Sequence, residues 1–122
     1  MIAVVVFLHQ LLAEALVAFA FVLGVWGTYL YFRRDAITPG FRSSFLAMTG
    51  VSILQGLAGA GALVTGARPG ELLHIVYGIF AALFLPGLYM YAHGGSARRE
   101  AVFLAGGCWV VLIAYLRGFA TG

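Results

Sequence analysis

Hydrophobic residues along the chain fall into four long runs, and each run ends at a short segment rich in polar residues, glycine or proline. The runs cover about residues 2–32, 43–66, 71–92 and 98–120, so each holds the roughly 20 residues that cross a hydrocarbon core as a helix. Because a bilayer offers the backbone no hydrogen bonds, such runs must be helical. The pattern therefore predicts an all-α integral membrane protein, with residues 1–122 forming a single domain of four transmembrane helices.

The connections and the arginines predict how these helices are arranged. Connections of roughly ten, four and five residues make neighbouring helices antiparallel, which gives an up-down-up-down four-helix bundle. Five arginines flank the first and third connections and two lie on the other side, namely Arg33, Arg34, Arg42, Arg98 and Arg99 against Arg68 and Arg117. By the positive-inside rule the five mark the cytoplasm. Both termini are then expected on the non-cytoplasmic side of a cell membrane of the bacterial inner-membrane type.

The first run has the position of a signal peptide but not its pattern. It has no basic residues before it, it is longer than the usual hydrophobic region, and Arg33 and Arg34 follow it as a stop-transfer signal. We therefore expect it to be a retained helix.

Composition strengthens the membrane assignment and excludes other classes of protein. The chain is 63% apolar and 9% charged, with a mean hydropathy of +1.03, whereas a soluble domain is about 45–50% apolar and about 25% charged. A soluble enzyme and a disordered chain are thereby excluded. The net charge of +3 does not indicate nucleic acid, because the arginines are scattered between apolar runs. A single cysteine, Cys108, excludes an intrachain disulfide.

Few polar side chains fall inside the predicted spans, and each is a functional candidate because polar groups are costly in lipid. They are His9, Gln10, Glu14, Gln55 and His74, with His93 at a helix end. Glu14 and Gln55 each lie about twelve residues into antiparallel helices, so we expect them to meet near mid-bilayer. Their pairing would be a structural hydrogen bond or part of a proton-carrying or quinone-binding site. His93 has no second histidine on its side and is predicted to have a surface role.

His9 and His74 form the most informative pair. They lie near the non-cytoplasmic ends of the first and third helices, about 6–11 Å below the membrane boundary. Two imidazoles at one depth on diagonally opposed helices can bind the iron of a haem b from both sides. Ala13 and Gly78, one turn further along each helix, leave room for the macrocycle. The alternative is that each histidine lies among lipid headgroups or bonds a backbone carbonyl.

Three more residues belong to the predicted site. Tyr77 shares the histidine face of the third helix and offers a hydrogen-bond donor to the ring edge. Arg68 and Arg117 are the two cations on this side of the membrane, and arginine is suited to pairing with the haem propionates.

The second and third helices carry a recognisable order of residues. They read Gln55-Gly56-Leu57, then Gly66-Ala67-Arg68-Pro69-Gly70-Glu71-Leu72-Leu73-His74, then Gly78 and Pro86. Together with His9, this order resembles one four-helix half of a haem A synthase, and other small four-helix membrane b-type cytochromes, over nearly the whole chain. Each half of a haem A synthase carries histidines on its first and third helices, so the resemblance implies that His9 and His74 bind haem.

The chain also departs from the haem A synthase pattern. It has one bundle where the family has two, and it lacks the extracellular cysteine pair of some members. Val6 stands where the family has a glutamate three residues before the first-helix histidine, and Glu14 is not equivalent to it. The resemblance therefore implies haem binding more than hydroxylation of a haem methyl group.

Together these features predict a b-type cytochrome-like module that binds one haem near the outer face. It would serve electron transfer or haem handling beside a respiratory or photosynthetic complex. The sequence has no nucleophile–base set and no phosphate loop, so an electron-transfer or accessory role is expected before stand-alone catalysis. The alternatives are a non-catalytic small subunit or assembly factor, and a half-size haem A synthase-like enzyme working as a homodimer. The expected partners are the lipid bilayer and either a larger membrane complex or further copies of the chain.

Overall fold

The computed structural model describes residues 2–122, which form four α-helices. These are α1 (Ile2–Phe32), α2 (Pro39–Val64), α3 (Leu73–Ala92) and α4 (Ala97–Thr121). The predicted all-α chain of four helices is confirmed, and no strand occurs among the described residues. All four helices are long and apolar enough to cross a membrane, which indicates a multi-pass membrane protein.

The second helix begins at Pro39, four residues before the position that hydrophobicity predicts. Its start is defined by polar chemistry, because the Thr38 hydroxyl accepts a hydrogen bond of 3.1 Å from the backbone N–H of Phe41. Pro39 fits the first helical position, where its missing N–H costs nothing. A hydrophobicity pattern overlooks this first turn because it includes Pro39, Gly40 and Arg42.

Helix packing follows a simple scheme. The first helix packs on α2 and α4, and α3 packs on the same two helices. Glycines allow the close α1–α4 approach, since a Cβ atom at Gly27 would lie 2.9 Å from Cβ of Ala105. The helices that carry His9 and His74 are therefore flanked by the same two neighbours.

Large buried side chains are unevenly distributed along the helices. The largest fully buried ones come from all four helices and are Leu16, Leu23, Phe41, Phe45, Met48, Leu85, Leu104, Cys108 and Val111. Beyond them, toward His9 and His74, α2 has Ala62 as its buried residue after Ser52, and α3 has none before Ala81. One end of the molecule is thus densely packed, whereas the end with the two histidines is lined by small or half-buried residues.

The densely packed end is held together by arginines, and we call it the arginine end. Arg42 on α2 makes two hydrogen bonds to Glu100 on α4, of 2.9 and 2.7 Å. Arg98 donates a 2.7 Å hydrogen bond to the carbonyl of Tyr31 and lies 4.0 Å from that ring's centroid. Arg99 lies over the ring of Tyr91 at 4.5 Å. These cations therefore join the ends of different helices.

Replacing Arg42 and replacing Glu100 should lower the free energy of unfolding by different amounts. The side chain of Glu100 is 8% exposed and that of Arg42 is 36% exposed, so Arg42 can hydrate when it loses its partner and Glu100 cannot. We expect Arg42→Leu to lower the free energy of unfolding by about 3–5 kcal/mol, because it leaves a buried carboxylate unpaired. Glu100→Leu should cost less, and the double variant should recover part of the Arg42→Leu loss. Denaturant titration in mixed micelles measures all three.

Asp35 supplies the matched control for this experiment. It forms an exposed ion pair with Arg33 at 4.0 Å, and exposed pairs contribute about 0–1 kcal/mol. Asp35→Asn should therefore leave unfolding unchanged. Equal losses in Arg42→Leu and Glu100→Leu would contradict the asymmetry.

Candidate functional site

The structure brings the imidazoles of His9 and His74 together. Their ring centroids lie 5.8 Å apart and their planes are inclined by 69°. The two side chains come from α1 and α3, so the rings meet between the two flanking helices α2 and α4. Two histidines that are 65 positions apart in sequence thereby form one site, with both rings half-buried.

Contacts with the last turn of α4 fix His74. Its Nδ1 lies 3.0 Å from the backbone carbonyl of Gly118, so the proton on this nitrogen is donated to that oxygen. The backbone N–H groups of Gly70 and Glu71 also bond the carbonyls of Gly122 and Thr121, at 3.1 and 2.9 Å. These bonds hold the start of α3 against the end of α4. The Nε2 lone pair of His74 is left available, since no hydrogen bond to it occurs within residues 2–122.

A different set of contacts surrounds His9. A Cβ atom at Gly59 would lie 3.1 Å from the His9 Cε1 atom, so the glycine allows α2 to pack directly on the ring. The Gln55 amide donates a 2.8 Å hydrogen bond to the backbone carbonyl of His9. In the described part of the chain, His9 Nδ1 and Gln55 Oε1 are buried polar atoms without a hydrogen-bond partner. Buried polar atoms without a partner are uncommon, so the hydrogen-bonding capacity of this site is not fully used within the described residues.

The residues predicted to give space around the histidines differ in their surroundings. Ala13 is half-buried on α1. Gly78 is exposed, and a Cβ atom built there meets no other atom within 4 Å. Deeper along the α2–α3 seam the helices approach, since a Cβ atom at Gly56 would lie 3.9 Å from that of Ala82. The seam is therefore open beside Gly78 and closed further from the histidines.

The remaining predicted site residues lie at the same end but have partners of their own. The Arg117 Nε donates a long hydrogen bond of 3.4 Å to the Tyr77 hydroxyl, and the guanidinium lies 5.7 Å from the ring centroid. Arg68 Nη1 donates 2.8 Å hydrogen bonds to the carbonyls of Leu63 and Ala67, where it caps the end of α2. Tyr77 and Arg117 thus form a unit on the α3–α4 seam, and Arg68 belongs to the α2–α3 turn.

The expected meeting of Glu14 and Gln55 does not occur. Gln55 bonds the His9 carbonyl instead, and Glu14 is exposed on the surface of α1. The reason is helical phase, because the five residues from His9 to Glu14 turn the side chain by about 140° away from the histidine face. His93 is exposed and stacks on Tyr89 with a centroid distance of 5.9 Å.

Two parts of the site had no useful signal in the sequence. Gly59 is one of 17 glycines, and nothing in its neighbours separates the glycine under His9 from the others. The Gly118 carbonyl is a backbone group, and every residue has one, so the residue type does not indicate that it accepts a hydrogen bond from His74. Both contributions depend on which helix faces meet.

No family model, curated protein or solved structure matches the chain. The functional argument therefore rests on the geometry of the histidine pair and on the residues around it.

His74 has a side-chain hydrogen bond and His9 Nδ1 has none, so substitutions of the two histidines should affect the stability of the ligand-free protein differently. Replacing His9 by Leu removes a buried nitrogen that has no partner, so we expect the free energy of unfolding to stay the same or to rise. Replacing His74 by Leu removes the bond to Gly118 and should cost about 0.5–1.5 kcal/mol. Denaturant titration of the ligand-free protein measures both, and His93→Leu is the exposed control. A clear loss in His9→Leu would mean that this histidine has a structural role.

Proposed function

We propose that His9 and His74 are the axial ligands of one haem b held near the non-cytoplasmic face. In this proposal the chain is a membrane b-type cytochrome-like module for electron transfer or haem handling. The observation that carries it is the 5.8 Å separation of the two imidazole centroids across the interior. When bound, the haem would supply a reversible one-electron couple, and two imidazole ligands would leave it no open coordination position.

The separation of the rings fits ligation of one metal by both. A metal–imidazole bond is about 2.0–2.1 Å long, so two opposed bonds put the ligating nitrogens roughly 4 Å apart. Ring centroids 5.8 Å apart leave room for this spacing when each ring turns a nitrogen toward the other ring. The Nδ1 of His9 has no hydrogen-bond partner in the described part of the chain, so no side-chain bond opposes a rotation of this ring.

The surroundings of His74 also suit a metal ligand. Histidines that bind metals usually donate their other ring N–H to a carbonyl or carboxylate, which fixes the ring and raises its basicity. The Gly118 carbonyl has this relation to His74 Nδ1, at 3.0 Å. On the α2 side, Gly59 packs directly against the His9 ring.

Space for a macrocycle is favoured at this end of the molecule. The large buried side chains stop before the histidines are reached, and Gly78 faces open space. A porphyrin is broad and apolar, so in this proposal it would pack against the small and half-buried residues of this end. Ala13 lies one turn from His9, and its small side chain occupies little volume on the α1 side.

Arg117, Tyr77 and Arg68 would act at the edge of the haem. Arg117 and Tyr77 already contact each other, so they can present a guanidinium and a hydroxyl to one propionate. Arg68 bonds carbonyls through Nη1, and its other N–H groups remain for a second carboxylate. All three lie toward the same end as His74.

The same proposal includes the arrangement in the membrane. The helices run up-down-up-down, with both termini on the non-cytoplasmic side of a bacterial-type inner membrane. The contacts of the arginine end support this orientation, since Arg42, Arg98 and Arg99 are grouped there. A site near the outer face suits exchange of electrons or haem with a respiratory or photosynthetic complex beside the chain, and the resemblance to half of a haem A synthase points to the same cofactor.

The test is a reduced-minus-oxidised absorption spectrum of the detergent-purified chain from haem-replete cells. We expect the sharp α-band and shifted Soret band of low-spin, six-coordinate haem. His9→Ala and His74→Ala should each lose this spectrum, because one axial ligand is removed, and added imidazole should restore it. His93→Ala, at the opposite end, should keep it.

Colourless wild-type protein that does not take up haem on titration would overturn the proposal. Unchanged spectra in both His9→Ala and His74→Ala would equally exclude these residues as the ligands. A colourless chain that copurifies with a larger membrane complex would favour the accessory-subunit alternative.

A further inference from the structure

Two polar side chains lie on the outward face of α1. Gln10 and Glu14 are one helical turn apart and both are exposed. Neither makes a side-chain hydrogen bond or an ion pair with any residue in the described range 2–122. Unlike the unpartnered atoms of His9 and Gln55, which are buried, these two side chains are exposed on the surface of the helix.

The neighbouring exposed residues on this face of α1 are apolar, so Gln10 and Glu14 are polar groups within an apolar surface. Phe7, Phe21 and Val25 lie on the same side of α1 and are 61%, 52% and 49% exposed. Glu14 is twelve residues from the start of the helix, a rise of roughly 18 Å. A carboxyl group at this position would face hydrocarbon in an isolated chain, and such groups are rare on lipid-facing surfaces.

We propose that a second copy of this chain covers the Gln10–Glu14 face of α1. A two-fold axis along the membrane normal brings the same residues of both copies to the same depth. The Gln10 amide of each copy then donates to the partner's Glu14, and the pair is made twice by symmetry. This pairing needs no cation from another protein and works whether or not the carboxyl carries a proton.

The neighbouring residues suit a close contact between two α1 helices. Ala18 is exposed and lies one turn beyond Glu14, so a small side chain continues the stripe into the membrane. Small residues allow helix backbones to approach, which shortens the distance that Gln10 and Glu14 must bridge. The step of four positions from Gln10 to Glu14 corresponds to a rise of about 6 Å, which two long side chains can span. A different protein would need a matching polar pair at the same depth to satisfy this face equally well.

The proposal is independent of haem binding, because this face points away from His9 and His74. Proximity can be tested by disulfide cross-linking of the full chain in vesicles at low protein-to-lipid ratio. The native Cys108 is fully buried and should not react. Ala18→Cys should form a disulfide-linked dimer, whereas Ala47→Cys, at an exposed position on α2, should stay monomeric.

Polar complementarity is tested in the Ala18→Cys background. Adding Gln10→Leu and Glu14→Leu removes both reciprocal pairs, and we expect dimerisation to weaken by about tenfold or more. Glu14→Gln keeps a group that can accept from Gln10 and should retain most of the dimer. Because these side chains are exposed, the variants should unfold at the wild-type denaturant concentration, which excludes misfolding as the cause.

Three results would overturn the proposal. They are a monomeric Ala18→Cys protein, equal cross-linking at Ala18→Cys and Ala47→Cys, and undiminished dimers after both leucine substitutions. A monomer that binds a foreign membrane protein through Glu14 would assign this face to a different partner. The haem spectrum of the same samples shows separately whether the histidine site is intact.

Discussion

A bilayer supplies no hydrogen bonds, so every partner of a polar group within the four helices has to come from protein. Several of these groups have a partner on another helix. The Trp109 indole donates to the Thr28 hydroxyl at 2.9 Å, and the Tyr115 hydroxyl donates to Ser52 at 3.1 Å. Arg42 and Glu100 form the strongest such link. These bonds select which helix faces meet, and the position of the histidines follows from that selection.

The two ends of the molecule differ in how their helices are held together. At the arginine end, Phe41, Phe45 and Leu104 are fully buried and the cations are held by carboxylate, carbonyl or aromatic groups. At the histidine end the helices are joined through backbone bonds between the α2–α3 connection and the end of α4, and the buried residues are few. The large buried side chains therefore lie mainly at the arginine end, and the histidine end is held mostly through backbone hydrogen bonds.

The histidine pair combines a fixed and an unfixed imidazole. His74 is held by the Gly118 carbonyl, whereas His9 has a backbone bond from Gln55 but a ring nitrogen without a partner. A buried polar atom without a hydrogen-bond partner lowers stability. The protein thus gives up some stability at the histidines, as proteins commonly do at functional sites. Glu14, exposed on the opposite side of α1, shows the same cost on the lipid-facing surface.

The sequence by itself determined the four helices, because runs of about 20 apolar residues admit no other structure in a bilayer. It also located most helix ends and singled out His9 and His74 as the polar residues of interest. It did not determine which faces turn inward, because helices that are apolar all round carry little directional pattern. For that reason the pairing of Glu14 with Gln55 was wrong, and Gly59 and the Gly118 carbonyl could not be anticipated. Only the tertiary structure decided those contacts, since steric fit and cross-helix hydrogen bonds set the rotation of each helix.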